Sequence, residues 1–250
     1  MSFYLEDDKF RTVMELCYHH YDIDAYDKAI EYAQKAIKMA PEHWEGYHWI
    51  ARVILQQYDG YIDVLDRPVE LFSKAYKSAK LAVKYEPEQS ANWCALGRSA
   101  YAIHKLTESQ NAHLKAVSLD HNCSGCWAEI AQCVVEKNRF KLTPKKEAEI
   151  MNYFNQSIKL HVRGAGGFWN QWGYVWKCCG DIKRAEEYFF RELEENPQNR
   201  VTLNNIGEIV LARGDKKEAE TWFRRALQIE PNNKHFYRNL KNCSIETEVK

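Results

Sequence analysis

Two similar stretches, 34 residues apart, decide the fold of this chain: GDIKRAEEYFFRELEENP at residues 180–197 and GDKKEAETWFRRALQIEP at residues 214–231. In each, the Gly-Asp pair can end one helix and cap the next, small and aromatic residues then follow one helical face, and the proline ends that second helix. Gly173 and Gly207 lie upstream at the same offset, where the lack of a side chain lets two helices approach closely. A fixed period of this length predicts stacked pairs of antiparallel helices.

Weaker copies of the pattern extend through the rest of the chain. Ala29 and Ala33 recur 46 residues later as Ala75 and Ala79, which is one period plus 12 inserted residues. A second insertion, of 8 residues, falls around positions 137–146. The resulting register has six repeats and a capping helix: 10–43, 44–89, 90–123, 124–165, 166–199 and 200–233, then 234–243.

The order of residue types that recur between the repeats, namely aromatic, Leu, Gly, aromatic, then Ala, aromatic, Ala, Pro, resembles the tetratricopeptide repeat. The period of 34 is the length of that repeat, and the resemblance covers roughly nine tenths of the chain. It implies an all-α fold, a right-handed superhelical solenoid of antiparallel helix pairs. We expect residues 1–250 to form one such solenoid domain.

Composition and charge exclude several other classes of protein. The 250 residues include 35 basic and 35 acidic side chains, so no overall charge attracts the chain to nucleic acid or membrane. Only 11 Gly and 6 Pro occur, too few for the turns of an all-β protein. No apolar run approaches the ~20 residues of a membrane-spanning helix, and the N-terminus is acidic. We therefore expect a soluble cytoplasmic protein with reduced cysteines.

The cysteines and histidines include one weak metal-binding pattern. Its members are His121, Cys123, Cys126 and Cys133, residue types that bind zinc. A single CxxC is weak evidence, and Cys126 and Cys133 fall on a predicted helix, where small residues usually pack. The sequence contains no HExxH or GxSxG motif,. We expect no metal, no cofactor and no enzymatic activity.

The resemblance implies a concave groove lined by the first helix of each repeat. Projection of the helix faces places a set of polar and aromatic residues there: Arg11, Tyr18, Tyr21, His48, Arg52, Arg98, Tyr101, Asn170, Tyr174, Asn204 and Glu208. Arginine and tyrosine offer large contact areas and directed hydrogen bonds, which suits binding. The alternative is that most of these are ordinary polar residues of a helical surface.

We expect the partner to be another protein, bound through a peptide or helical segment. Repeats that hold the acidic C-terminal tails of the chaperones Hsp70 and Hsp90 use a clamp of Lys and Asn one helical turn apart. The corresponding pairs here, such as His48 with Arg52, do not reproduce that clamp, which argues against such tails. Two alternatives remain open: RNA binding through the arginines and tyrosines, and regulation of an enzyme or transport complex through the two insertions.

Overall fold

The computed structural model describes residues 2–57, 68–138, 142–160 and 167–243. Within these ranges the chain forms thirteen α-helices and no β-strand. The helices are α1 Ser2–Asp22, α2 Tyr26–Met39, α3 Trp44–Gln57, α4 Val69–Tyr85, α5 Ser90–Ala102, α6 Leu106–Leu119, α7 Ser124–Lys137, α8 Pro144–Ile158, α9 Phe168–Cys178, α10 Ile182–Glu195, α11 Arg200–Ala212, α12 Lys216–Ile229 and α13 Lys234–Cys243.

Each predicted repeat contains one pair of helices, from α1 and α2 in the first repeat to α11 and α12 in the sixth. The predicted all-α solenoid of helix pairs is confirmed. The helix α13 occupies the range predicted for the capping helix. One boundary differs, since α1 begins at Ser2 and not near Phe10. Residues 2–9 contain no Gly or Pro that would stop the helix from extending,.

The helices form two compact units, unit 1 (residues 1–133) and unit 2 (residues 134–250). In unit 1, each helix from α1 to α5 packs against the next one in the chain. In unit 2 the same is true from α9 to α12. This alternation of contacts within a pair and between successive pairs is the packing of a helical repeat.

Small side chains build much of the core of unit 1. Ala29, Ala33, Ala36, Ala75 and Ala79 are all fully buried. Because an alanine projects little beyond the backbone, helices that meet at these positions pack at short interaxial distance. The alanine repeat seen in the sequence is therefore the contact surface of the helix pairs.

Aromatic side chains dominate the core of unit 2, and glycines receive them. Phe189 and Phe223 are fully buried. A Cβ atom added to Gly173 would lie 2.5 Å from the ring of Phe189, and one added to Gly207 would lie 2.5 Å from the ring of Phe223. Both distances are far below van der Waals contact, so the predicted role of these glycines at helix crossings is confirmed.

A left-handed residue ends the first helix in four of the repeats. Gly180 and Gly214 have φ angles of 82° and 93°, and Asp24 and His104 take the same repeat position with φ angles of 57° and 59°. Asp181 then caps α10 by accepting the Arg184 N–H at 3.1 Å. The turn geometry is thus common to these repeats, although only two of them use glycine.

Replacement of His104 by glycine is expected to stabilise the protein by about 1 kcal/mol, because a side chain in the left-handed region costs about that much. The reverse change, Gly180→His, places a side chain in the same conformation and is expected to destabilise by a similar amount. Thermal and chemical unfolding of both variants would measure the two effects. A loss of stability in His104→Gly would contradict the strain assigned to this turn.

The first insertion, residues 58–67, lies outside the described residues. After it, Pro68 is the N-cap of α4, whose first residue is Val69. At the second insertion, Thr143 accepts the Lys146 N–H and Pro144 opens α8. Among the helices that the structure describes, none has the length and apolar character to cross a membrane.

Candidate functional site

Four residues of unit 1 form an aromatic surface across α1 and α3. The ring centroids of Tyr18 and Tyr21 lie 4.6 Å and 5.2 Å from that of Trp49. The guanidinium carbon of Arg52 lies 4.7 Å from the Trp49 centroid and 5.3 Å from the Tyr21 centroid. The three rings are half-buried, while Arg52 is exposed. We call these four residues the aromatic face; three of them belong to the predicted groove.

Hydrogen bonds fix both tyrosines of the aromatic face. The hydroxyl of Tyr18 donates to the carboxylate of Glu45, and the hydroxyl of Tyr21 donates to Oε1 of Gln56 at 3.4 Å. Burial, together with the hydrogen bond and charge of Glu45, raises the pKa of Tyr18 above its usual range. The hydroxyl therefore remains a neutral donor, and the rings present a fixed surface.

The groove residues His48 and Arg11 have opposite surroundings. His48 is buried next to Trp44 and Trp49, with ring centroids 5.7 Å and 6.2 Å away. Burial, with a smaller effect of the Arg52 charge, lowers the pKa of His48 to about 4, so its ring is neutral at pH 7. Arg11 is exposed on α1. His48 therefore packs against Trp49 of the aromatic face, and because it is buried it is not accessible to a partner.

Two further groove residues of unit 1 contact the next helix pair. Nε of Arg98 lies 3.4 Å from Oε1 of Glu129, and about one third of the Arg98 side chain is exposed (34 %). The hydroxyl of Tyr101 accepts a hydrogen bond from Nε2 of Gln132 at 2.6 Å. Both contacts join α5 to α7, so these side chains hold neighbouring repeats together.

In unit 2, the predicted residue Glu208 is the centre of a charged network. Lys177 Nζ donates to its Oε2, while its Oε1 accepts from Asn204 at 2.9 Å and Asn239 at 2.8 Å. His235 Nε2 lies 3.2 Å from the same oxygen. Burial alone raises the pKa of Glu208, but the hydrogen bond from His235 and the charge of Lys177 outweigh it and lower the pKa to about 2. Glu208 is therefore an ionised carboxylate held from three helices.

Side-chain amides connect the same three helices, and we call this chain of contacts the amide ladder. Asn170 Oδ1 accepts from Thr202 Oγ1 and Asn205 Nδ2, each at 3.0 Å. Asn204 Oδ1 accepts from Asn239 Nδ2 at 2.9 Å. Asn204 is only 3 % exposed. Each amide predicted to line the groove thus binds another amide on a neighbouring helix, across α9, α11 and α13.

Tyr174, the remaining groove residue of unit 2, is half-buried on α9. Burial, with Cys178 one helical turn away, raises the pKa of Tyr174 above its usual range. The hydroxyl is therefore neutral and belongs to the same polar region as Lys177, whose Nζ lies 5.8 Å from the Tyr174 ring centroid.

The weak metal candidates have separate surroundings. The structure joins Cys123 and Cys126 in a disulfide at the start of α7, with Cα atoms 5.5 Å apart, a separation that disulfides favour. The expectation of reduced thiols is wrong for this pair, because a CxxC that opens a helix brings its two cysteines together. Cys133 is buried, and its Sγ donates to Ser109 Oγ at 3.3 Å. His121 is exposed.

Helix projection did not predict the contacts between side chains of successive repeats, although the repeat length contains a signal for them. Tyr101 with Gln132 and Lys177 with Glu208 are each separated by 31 positions. The repeat is 34 residues long, so a separation of 31 is three residues short of one repeat. The second residue therefore lies about one helical turn earlier on the first helix of the following repeat. A search for complementary side chains at this spacing would have found both contacts. Trp49 has no such signal. It directly follows the predicted groove residue His48, and adjacent residues of a helix point in different directions,.

Antiparallel helix pairs that pack in succession define a helical-repeat protein of the solenoid class. Models of the tetratricopeptide repeat match residues 20–43 in unit 1 and residues 201–233 in unit 2. The thirteen helices of the described residues fit about six such repeats, so the resemblance to the tetratricopeptide repeat is confirmed. The family is generally one of protein-interaction scaffolds without catalytic activity.

Several solved structures share this fold at low sequence identity. The chain is similar to the hetero-tetramer Cut9-Hcn1 of APC/C (TM-score 0.69, 13 % identity, 94 % of this chain and 42 % of that chain). It is also similar to pilF of Pseudomonas aeruginosa (0.59, 14 %, 94 % and 98 %) and to MamA (0.52, 14 %, 77 % and 94 %). The chain therefore spans less than half of the first of these. A comparison with curated proteins found no match.

Proposed function

We propose that the protein is a non-catalytic scaffold that binds a peptide or helical segment of another protein, and that the aromatic face of unit 1 is the main contact. The observation that carries the proposal is the exposed guanidinium of Arg52 above the half-buried rings of Trp49 and Tyr21. Trp, Tyr and Arg dominate the binding energy of protein interfaces, because they combine apolar area with directed hydrogen bonds.

The chemistry of the aromatic face favours a particular kind of segment. The ring of Trp49 offers apolar area at little entropic cost, since its neighbours Tyr18 and Tyr21 already hold it. Arg52 adds a permanently charged planar donor at the exposed edge. A segment with an apolar side chain next to a carboxylate can use both features. In unit 2, we assign Asn170, Asn204 and Glu208 to the support of the helices, because their polar atoms already bind other side chains of that unit.

Replacement of Arg52 by alanine is expected to weaken the affinity for the partner by about tenfold or more, as for a central interface arginine, and to leave the fold intact. Arg191→Ala is the matched control, because Arg191 also lies over two aromatic rings, 5.1 Å from the Trp169 centroid and 5.6 Å from the Tyr188 centroid, but on the second helix of a pair. Partners can be identified by affinity purification and mass spectrometry with wild type and both variants. Affinities then follow from calorimetry with the identified segment. Equal binding by wild type and Arg52→Ala would contradict the proposal.

The alternative partner is RNA, and the salt dependence of the affinity distinguishes it from a peptide. An arginine above aromatic rings can also stack with bases, whereas the zero net charge of the chain works against phosphate binding,. Affinity for RNA would fall steeply with added salt, while binding to a largely apolar peptide would change little. The third alternative is regulation through the inserted loops. Residues 58–67 of the first insertion lie outside the described chain, so no observation favours that alternative.

A further inference from the structure

Four side chains with metal-binding atoms meet inside unit 1. They are Cys94 on α5, His113 on α6, and Cys126 and Glu129 on α7. Each offers one ligand atom, and these atoms all lie within 4.8 Å of one another. The ligand atoms of a tetrahedral zinc site lie about 3.3 to 3.8 Å apart. Small side-chain rotations would therefore close the set around one ion.

His113 is the residue that sets this cluster apart from ordinary packing. It follows Gly97 by 16 positions, as Phe189 follows Gly173 and Phe223 follows Gly207. Its ring occupies the same kind of place, since a Cβ atom on Gly97 would lie 2.4 Å from Nε2 of His113. The third repeat thus has an imidazole where the fifth and sixth have a phenyl ring.

Burial of an imidazole at this position costs free energy unless its nitrogen atoms form hydrogen bonds or bind a metal. His113 is 0 % exposed. Among the described residues, neither ring nitrogen has a hydrogen-bond partner of good geometry, although Nδ1 lies 3.2 Å from Oε2 of Glu129. Burial, with a contribution from the Arg98 charge, lowers the pKa of His113 to about 3. The ring is therefore neutral at pH 7, the form that binds metal.

We propose that the reduced protein binds one Zn²⁺ ion through Cys94 Sγ, His113, Cys126 Sγ and Glu129. Thiolate, imidazole and carboxylate are all zinc ligands, and the four together complete the tetrahedral coordination that zinc prefers. Two thiolates and a carboxylate around Zn²⁺ leave one net negative charge, and the Arg98 guanidinium, 3.4 Å from Glu129, offsets it. Burial and the charge of Glu129 raise the pKa of Cys94 to about 12, so zinc binding displaces its proton.

Zinc and the disulfide compete for the same atom, because Cys126 Sγ is bonded to Cys123 in the structure. The S–S bond must break before the metal binds. A water-soluble phosphine does this: it supplies two electrons and becomes the phosphine oxide with the oxygen of one water molecule, whose hydrogens complete the two thiols. Zn²⁺ then replaces the thiol protons of Cys94 and Cys126. The site is thus available only in the reduced protein.

The test is a zinc titration of the full chain, reduced with the phosphine and desalted without oxygen. Calorimetry with zinc chloride is expected to give one site per chain, and cobalt chloride is expected to give the thiolate charge-transfer and tetrahedral d–d bands of a two-sulfur site. Cys94→Ser is expected to weaken binding about 100-fold or more, because it removes a ligand. Cys17→Ser, a buried cysteine outside the cluster, is the control and is expected to bind like wild type.

Two variants keep the proposal testable if a change affects folding. His113→Phe installs the side chain that the fifth and sixth repeats use, so it is expected to melt no lower than the metal-free wild type. It is also expected to weaken zinc binding by about 100-fold or more, because it removes a ligand. Cys123→Ser frees Cys126 permanently and is expected to bind zinc without prior reduction. Unchanged zinc affinity in His113→Phe would overturn the proposal. So would loss of binding in Cys133→Ser with retention in Cys94→Ser, which would assign the metal to the other cysteines.

Discussion

Replacement of Gly173 by leucine is expected to destabilise the protein by about 3 kcal/mol or more, at the upper end of overpacking effects. The Cβ atom alone would lie 2.5 Å from the Phe189 ring and 3.2 Å from the carbonyl oxygen of Ala185. Leucine adds three further carbon atoms to this closed contact between α9 and α10. Since Phe189 is fully buried, the ring has no free space into which to move. Thermal unfolding followed by circular dichroism would measure the loss.

A second substitution separates overpacking from a general intolerance of this helix. Phe189→Ala alone leaves a cavity and is expected to cost about 3 to 5 kcal/mol. In the double variant, the leucine can enter the space that the ring leaves, so the combined loss is expected to be at least about 1 kcal/mol smaller than the sum of the two. Additive losses would show that Gly173 and Phe189 do not share one contact, and a melt unchanged by Gly173→Leu would show that the repeat register is wrong.

Replacement of Glu192 by alanine is expected to destabilise the protein by about 3 to 5 kcal/mol, because it removes a buried carboxylate that accepts from five buried or partly buried donors. Glu192 is 1 % exposed. Its two oxygens accept five hydrogen bonds at 2.8 to 3.3 Å, from the backbone N–H groups of Gly167, Trp169 and Asn170 and from the side-chain amides of Asn196 and Asn199. The carboxylate therefore closes the N-terminus of α9, where negative charge is favourable.

Controls for Glu192 come from the same helix and from the same residue. Glu194 is exposed on α10, and Glu194→Ala is expected to change stability by less than about 0.5 kcal/mol. Glu192→Gln keeps the shape but turns an NH₂ group toward donors, so its loss is expected to approach that of alanine. Urea unfolding of the three variants would rank them. A loss in Glu192→Gln no larger than in Glu194→Ala would contradict the capping role of the carboxylate.

The fold was predictable because its determinants are local and repeated. The Gly-Asp turns at 180–181 and 214–215 and the alanines of the first repeats each encode a contact that recurs in the next pair,. The left-handed turn at His104 was not predictable in the same way, because no glycine marks it there. The disulfide between Cys123 and Cys126 depends on how a turn enters α7, which composition alone does not give.

The candidate site was predictable only in part, for a reason that the contacts make plain. Helix projection found Tyr18 and Arg52 because the direction of a side chain from a helix follows from its position. It could not show that Asn204 is nearly inaccessible, since burial depends on the next helix and not on its own. The cluster around His113 combines residues from three helices, so its members lie up to 35 positions apart and form no motif.

The amide ladder has a mechanical consequence for unit 2. Hydrogen bonds are strongly directional, whereas contacts between alanine methyl groups change little when two helices slide or turn slightly. Because Asn170 with Asn205 and Asn204 with Asn239 fix both distance and angle, α9, α11 and α13 behave as a stiff element. The alanine contacts of unit 1 lack this directional constraint, so we expect its helices to shift more readily than those of unit 2, while the hydrogen-bonded tyrosines keep the aromatic face itself in place.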